Sequence, residues 1–94
     1  MMTTIEQRIS EGSRAREVLE NEAYQQAFSA IESEITEKWK NSPARDAEGR
    51  EKLWMYLAML KKFKNQLDTT LETGKLAQLD LEHRQSLMHR LKSW

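Results

Sequence analysis

The chain has 94 residues, with 15 Lys and Arg against 15 Asp and Glu, three glycines, one proline and no cysteine. One small domain, residues 1–94, is the expectation at this length, and the lack of cysteine excludes disulfide staples and thiolate metal sites and fits a reducing compartment. A charged fraction of 32% with few chain breakers favours solvated helices over sheet, and no apolar run approaches the length that crosses a bilayer.

The opening Met-Met-Thr-Thr-Ile-Glu has neither the basic nor the apolar stretch of a signal peptide, so the sequence reads as a soluble intracellular protein. Thr4 and Gln7 have capping-box spacing, as do Thr3 and Glu6, which predicts a first helix over about 4–19. Ile5, Ile9, Gly12, Arg16 and Leu19 form its thin stripe. Gly12 costs about 1 kcal/mol of helix stability relative to Ala, so residues 1–20 are expected to be a mobile N-terminal helix, or one that packs in cis or is swapped onto another chain.

Asn21 caps a second helix over about 22–40, with Glu22 at the positive end of its dipole. Tyr24, Phe28, Ile31, Ile35 and Trp39 recur every three to four residues along it, the pattern of one buried side. The polar stretch 41–52 follows. Either the next helix starts at Pro43, capped by Ser42, or helix resumes near residue 50.

From Leu53 onward Leu57, Leu60, Lys64, Leu67 and Leu71 form a heptad seam broken once by Lys64, with Trp54, Met55, Met59, Phe63 and Thr70 as a second stripe. The seam mirrors the preceding helix: Trp39 answers Trp54, Ile35 Leu57, Ile31 Leu60, Phe28 Phe63 and Tyr24 Leu67. Equal rise per residue on both arms makes this the pattern of an antiparallel helical hairpin, with arms about 22–40 and 43/50–73. Thr73-Gly74 reads as a stop with Gly74 left-handed. In the segment 75–94, Asp80 reads as the cap of a C-terminal helix over about 80–92, lined by Leu79, His83, Leu87 and Leu91, with Met88 and Trp94 nearby. The fold class expected is therefore all-α.

Charge is distributed unevenly. Residues 1–37 hold Arg8, Arg14 and Arg16 against eight acidic side chains, and residues 38–64 hold eight basic ones against Asp46, Glu48 and Glu51. Opposite signs on the two arms favour their antiparallel pairing, although an exposed ion pair contributes at most about 1 kcal/mol.

No residue is assigned to catalysis, cofactor or metal binding. His83 and His89 are six apart and face different directions on one helix, whereas paired helical ligands need three or four. The carboxylates occupy outward positions without a nearby His, Ser or Cys partner, and Gly12, Gly49 and Gly74 are too scattered for a phosphate loop. The chain therefore reads as a non-enzyme that works by binding. Candidate interface residues are Trp54, Met55, Met59, Leu87, Leu91 and Trp94, and Lys38, Lys40, Lys61, Lys62 and Lys64 form a weak candidate contact for nucleic acid.

The series Arg14-Ala15-Arg16-Glu17-Val18-Leu19-Glu20-Asn21-Glu22-Ala23-Tyr24, then Ala27-Phe28, Ile31-Glu32, Trp39, Arg50-Glu51-Lys52-Leu53-Trp54 and Thr73-Gly74-Lys75-Leu76-Ala77, resembles small helical proteins of tailed bacteriophages and prophages. The resemblance spans about residues 8–77 and leaves 80–94 unmatched. It implies a gene near head and portal genes, a role in virion morphogenesis, and residence in the cytoplasm of the bacterial host or in the virion. The broad apolar face of the second arm adds the expected partners: a second copy, two hairpins pairing into a four-helix bundle through the stripe of Trp54, Met55, Met59 and Phe63, and a phage or host protein. A small phage inhibitor of a host enzyme or defence complex is the alternative, and a nucleic-acid-binding accessory protein the third reading.

Overall fold

The computed structural model describes residues 4–92, and the regular structure among them is all α-helix: α1 is Ile5–Glu20, α2 Glu22–Asn41 and α3 Ala47–Lys92. No described helix is long and apolar enough to cross a membrane.

Each start is fixed by a side chain that satisfies an otherwise orphaned amide. At α1 the capping box forms reciprocally: the Gln7 amide donates to Thr4 Oγ1 at 3.1 Å, and the Thr4 amide donates to Gln7 Oε1 at 2.9 Å. The alternative box on Thr3 lies outside the described residues. At α2, Asn21 is extended and its Oδ1 accepts the Tyr24 amide at 2.9 Å, as its sequence position predicts. Asn21 alone separates α1 from α2, and Gln25 Nε2 donates to the Leu19 carbonyl at 2.8 Å across that junction.

The start of α3 matches neither sequence alternative, because the cap is Asp46. Ser42 is engaged elsewhere: its hydroxyl donates to the Trp39 carbonyl at 2.6 Å and closes α2. Pro43 lies in the connecting turn, where its carbonyl accepts the Asp46 amide at 3.0 Å. Asp46 Oδ1 then accepts the Gly49 amide at 3.1 Å, and its carboxylate lies where a Cβ on residue 49 would be. A Cβ at residue 49 would make the Asp46 carboxylate, the end of a flexible side chain, shift aside.

The expected stop at Gly74 and the separate helix over 80–92 are overturned. α3 runs for 46 residues without interruption, no glycine in it has positive φ, and Asp80 sits inside the helix, 3.2 Å from Arg84 one turn on. Gly74 has another task.

The chain divides into two units, one formed by Met1–Val18 with Leu67–Trp94 and the other by Leu19–Gln66. In the first, α1 packs on α3 through Gly12 and Gly74. A Cβ built on Gly12 would lie 2.8 Å from the Gly74 Cα, and one on Gly74 would lie 2.8 Å from the Gly12 Cα and 2.9 Å from the Arg8 carbonyl oxygen. Backbone meets backbone there. Ala15 and Ala77, each three residues beyond its glycine, are the buried apolar side chains among the described residues, at 4% and 5% exposure. Small side chains thus let two helices approach closely.

In the second unit the rings of α2 are held by cations of α3. The Arg50 guanidinium lies 4.5 Å from the Trp39 ring centroid, and its Nη1 donates to the Ser42 Oγ at 3.1 Å and to the Ser42 carbonyl at 3.3 Å. Lys64 Nζ lies 5.3 Å from the Phe28 ring centroid, and Tyr24 stacks obliquely beside that ring at 6.1 Å. Arg50 and Lys64 thus stand over the rings for which the sequence predicts Trp54 and Phe63 as partners, and each cation–ring contact contributes about 0.5–2 kcal/mol. Trp54 and Phe63 are exposed instead.

Candidate protein interaction surface

Along α3 in the second unit, Leu53, Leu57 and Leu60 are half-buried, and Leu67 and Leu71 are half-buried beyond it, so the seam read from the sequence is the covered side. Lys64 breaks its apolar pattern because it lies over Phe28. The second stripe stays in solvent: Trp54 is 65% exposed, Met59 64% and Phe63 60%, with Met55 and Tyr56 also exposed.

Helical geometry divides that stripe. At about 100° per residue, Tyr56, Phe63 and Met59 lie progressively farther round one side of the leucine seam. Met55 continues the row nearly opposite the seam. Trp54 lies about 90° round the other side, so it is not part of the same stripe. Tyr56 belongs to the exposed row, and its place one turn from Met59 and Leu60 was the available signal.

The other interface candidates lie in the first unit. Leu87, Met88 and Leu91 are exposed on the last turns of α3, and Leu76 and Leu79 are exposed earlier along it. Trp94 lies outside the described residues. Beside the Gly12–Gly74 crossing an open groove of about 550 Å³ is lined by Ile9 and Arg16 of α1 and by Leu71, Lys75, Leu79 and Glu82 of α3, among others. Lys75 at its wall is already 3.4 Å from Glu72.

The candidate nucleic-acid residues are largely engaged. Lys38 is 3.0 Å from Glu34, Lys40 is 3.9 Å from Glu37, and Lys64 lies over Phe28. Lys61 and Lys62 remain exposed on α3. Lys52 is 3.7 Å from Glu48. His83 is exposed. Among the described residues no three His, Asp or Glu side chains converge as a metal-binding group.

Comparison with protein-family models, with curated proteins and with solved structures finds no match to this chain.

Proposed function

We propose that this chain is a non-enzymatic phage protein that works by helix-mediated protein–protein association, with virion morphogenesis as its setting. The observation that carries the reading is the exposed row Met55, Met59 and Phe63 on α3, with Tyr56 beside it, in a chain whose buried apolar residues, among those described, are two alanines. Burying a Phe or Met side chain is worth about 1.5–3 kcal/mol relative to leaving it in water. A partner helix laid along this row gains that free energy, which is how amphipathic helices are commonly recognised. The phage setting rests on the residue pattern from Arg14 to Ala77.

Within the second unit we read α2 and the first half of α3 as an antiparallel hairpin. The Arg50–Trp39 and Lys64–Phe28 contacts support it, since the late residue of α2 meets the early one of α3 and the reverse. In that arrangement Ile31, also exposed at 45%, falls on the same side as Met59 and Phe63. The face then spans both helices. Nucleic-acid binding is less favoured, because three of its five lysines already face a carboxylate or a ring.

Quantitative mass spectrometry of particles assembled by the encoding phage tests the reading. Wild-type protein is expected to be retained, and the Met59→Glu, Phe63→Glu double variant to be depleted at least tenfold while its circular dichroism remains helical. Equal retention of both would refute the role of this face. Absence from particles, with early expression and specific capture of one host enzyme, would replace morphogenesis by inhibition.

A further inference from the structure

The exposed face of the second unit has an occupant that its area and charge identify. We propose that a second copy of this chain covers it, two α2–α3 pairs joining about a two-fold axis parallel to the helices, so that α2 of each protomer lies on α3 of its partner. This rests on the association reading above and specifies the partner.

Area is the first argument. The chain exposes 7897 Å² at a mass of 11.1 kDa, whereas a folded monomer of that mass is expected to expose roughly 5,700 Å². The excess of roughly 2,200 Å² per chain is shared by both units, and the second unit's part of it carries the exposed Ile31, Met55, Tyr56, Met59 and Phe63, enough side chains to line a helix-on-helix interface. No large side chain among the described residues is fully buried, so a second copy would add burial that one chain lacks. Ile31, Tyr56, Met59 and Phe63 supply the apolar centre such an interface needs.

Charge selects the arrangement. α2 carries Glu22, Glu32, Glu34 and Glu37 against Lys38 and Lys40, and residues 47–66 of α3 carry Arg50, Lys52, Lys61, Lys62 and Lys64 against Glu48 and Glu51. Two such pairs can stack with antiparallel neighbours in two ways. An axis across the helices sets acidic α2 on α2 and basic α3 on α3, which is repulsive. An axis along them sets each acidic helix on a basic one, so that signs alternate round a four-helix bundle. A two-fold along the helices also preserves height, and the Lys64–Phe28 and Arg50–Trp39 contacts put Ile31 level with Met59 and Phe63. Ile31 of one protomer then meets Met59 of its partner.

Sedimentation equilibrium of the full chain at micromolar concentration, followed by disulfide trapping, tests this. The wild type is expected at twice the 11.1 kDa protomer mass, and Met59→Glu at the protomer mass with its helical circular dichroism kept. The chain has no cysteine of its own, so single Ile31→Cys and Met59→Cys variants report contacts directly. Mixed and oxidised, they are expected to form the heterodisulfide in at least fivefold excess over either homodisulfide. Predominance of the Ile31→Cys homodisulfide would overturn the charge-selected arrangement. A wild type that stays at protomer mass would overturn the second copy as occupant; if Met59→Glu still abolished particle retention, the association reading would survive. A dimer unaffected by Met59→Glu, with no trapped disulfide, would overturn the face itself.

Discussion

Gly12 and Gly74 occupy the same position relative to each other, each with its Cα where the other's Cβ would project. Alanine at either site would gain about 1 kcal/mol of intrinsic helix stability. It would also meet backbone 2.8 Å away, which cannot rotate aside as a side chain can. Overpacking of that kind costs about 1–3 kcal/mol, so Gly74→Ala is expected to destabilise the chain by up to about 2 kcal/mol net. Urea unfolding at fixed concentration measures it, and a stabilised variant would mean the helices do not cross there. The pattern was in the sequence as two Gly-x-x-Ala steps, Gly12 to Ala15 and Gly74 to Ala77. It was hidden because a glycine's local meaning, weak helix or helix stop, is legible from its neighbours alone, while its use in a close approach depends on a second glycine 62 positions away.

At the level of elements, caps were legible where the capping side chain and its amide are three residues apart. Thr4 with Gln7 and Asn21 with Tyr24 are local chemistry, and both formed as read. The Ser42-Pro43 start failed because Ser42 had a competing acceptor at the end of α2, which no local rule weighs against Asp46. Thr73-Gly74 failed for the related reason that tertiary contact overrides propensity: a helix packed through its glycine has no cause to stop at it. The seam from Leu53 was legible because period survives such details, and Lys64 within it made sense only once Phe28 lay under its ammonium. Continuity of α3 is therefore the element-scale claim most open to test. Cα chemical shifts are expected to be helical without a break from Ala47 to Lys92, and random-coil values at residues 74–80 would restore the two-helix reading.

For the molecule as a whole, stability and association should be coupled. The described residues bury two alanines and no large side chain, so little core exists within a single chain to oppose the conformational entropy of 94 residues. If a second copy completes that core, unfolding also dissociates, and Tm must rise with protein concentration. The size of the effect follows from general averages. A tenfold increase in concentration adds about 1.4 kcal/mol per dimer, and unfolding two such chains carries an entropy of about 0.4 kcal/mol/K. Tm is therefore expected to climb by about 3–4 °C per decade of concentration. Differential scanning calorimetry over two decades would resolve that slope. Met59→Glu places a charge in the shared apolar centre and should flatten it, because the variant unfolds as a protomer already dissociated. The charge reversal Glu17→Lys, at an exposed position on α1 outside the face, should leave it unchanged. High salt should lower the wild-type Tm modestly without removing the slope, since screening weakens the acidic-on-basic contacts and leaves the apolar ones intact. A wild-type Tm independent of concentration would mean that one chain, with so little buried inside it, nevertheless folds alone.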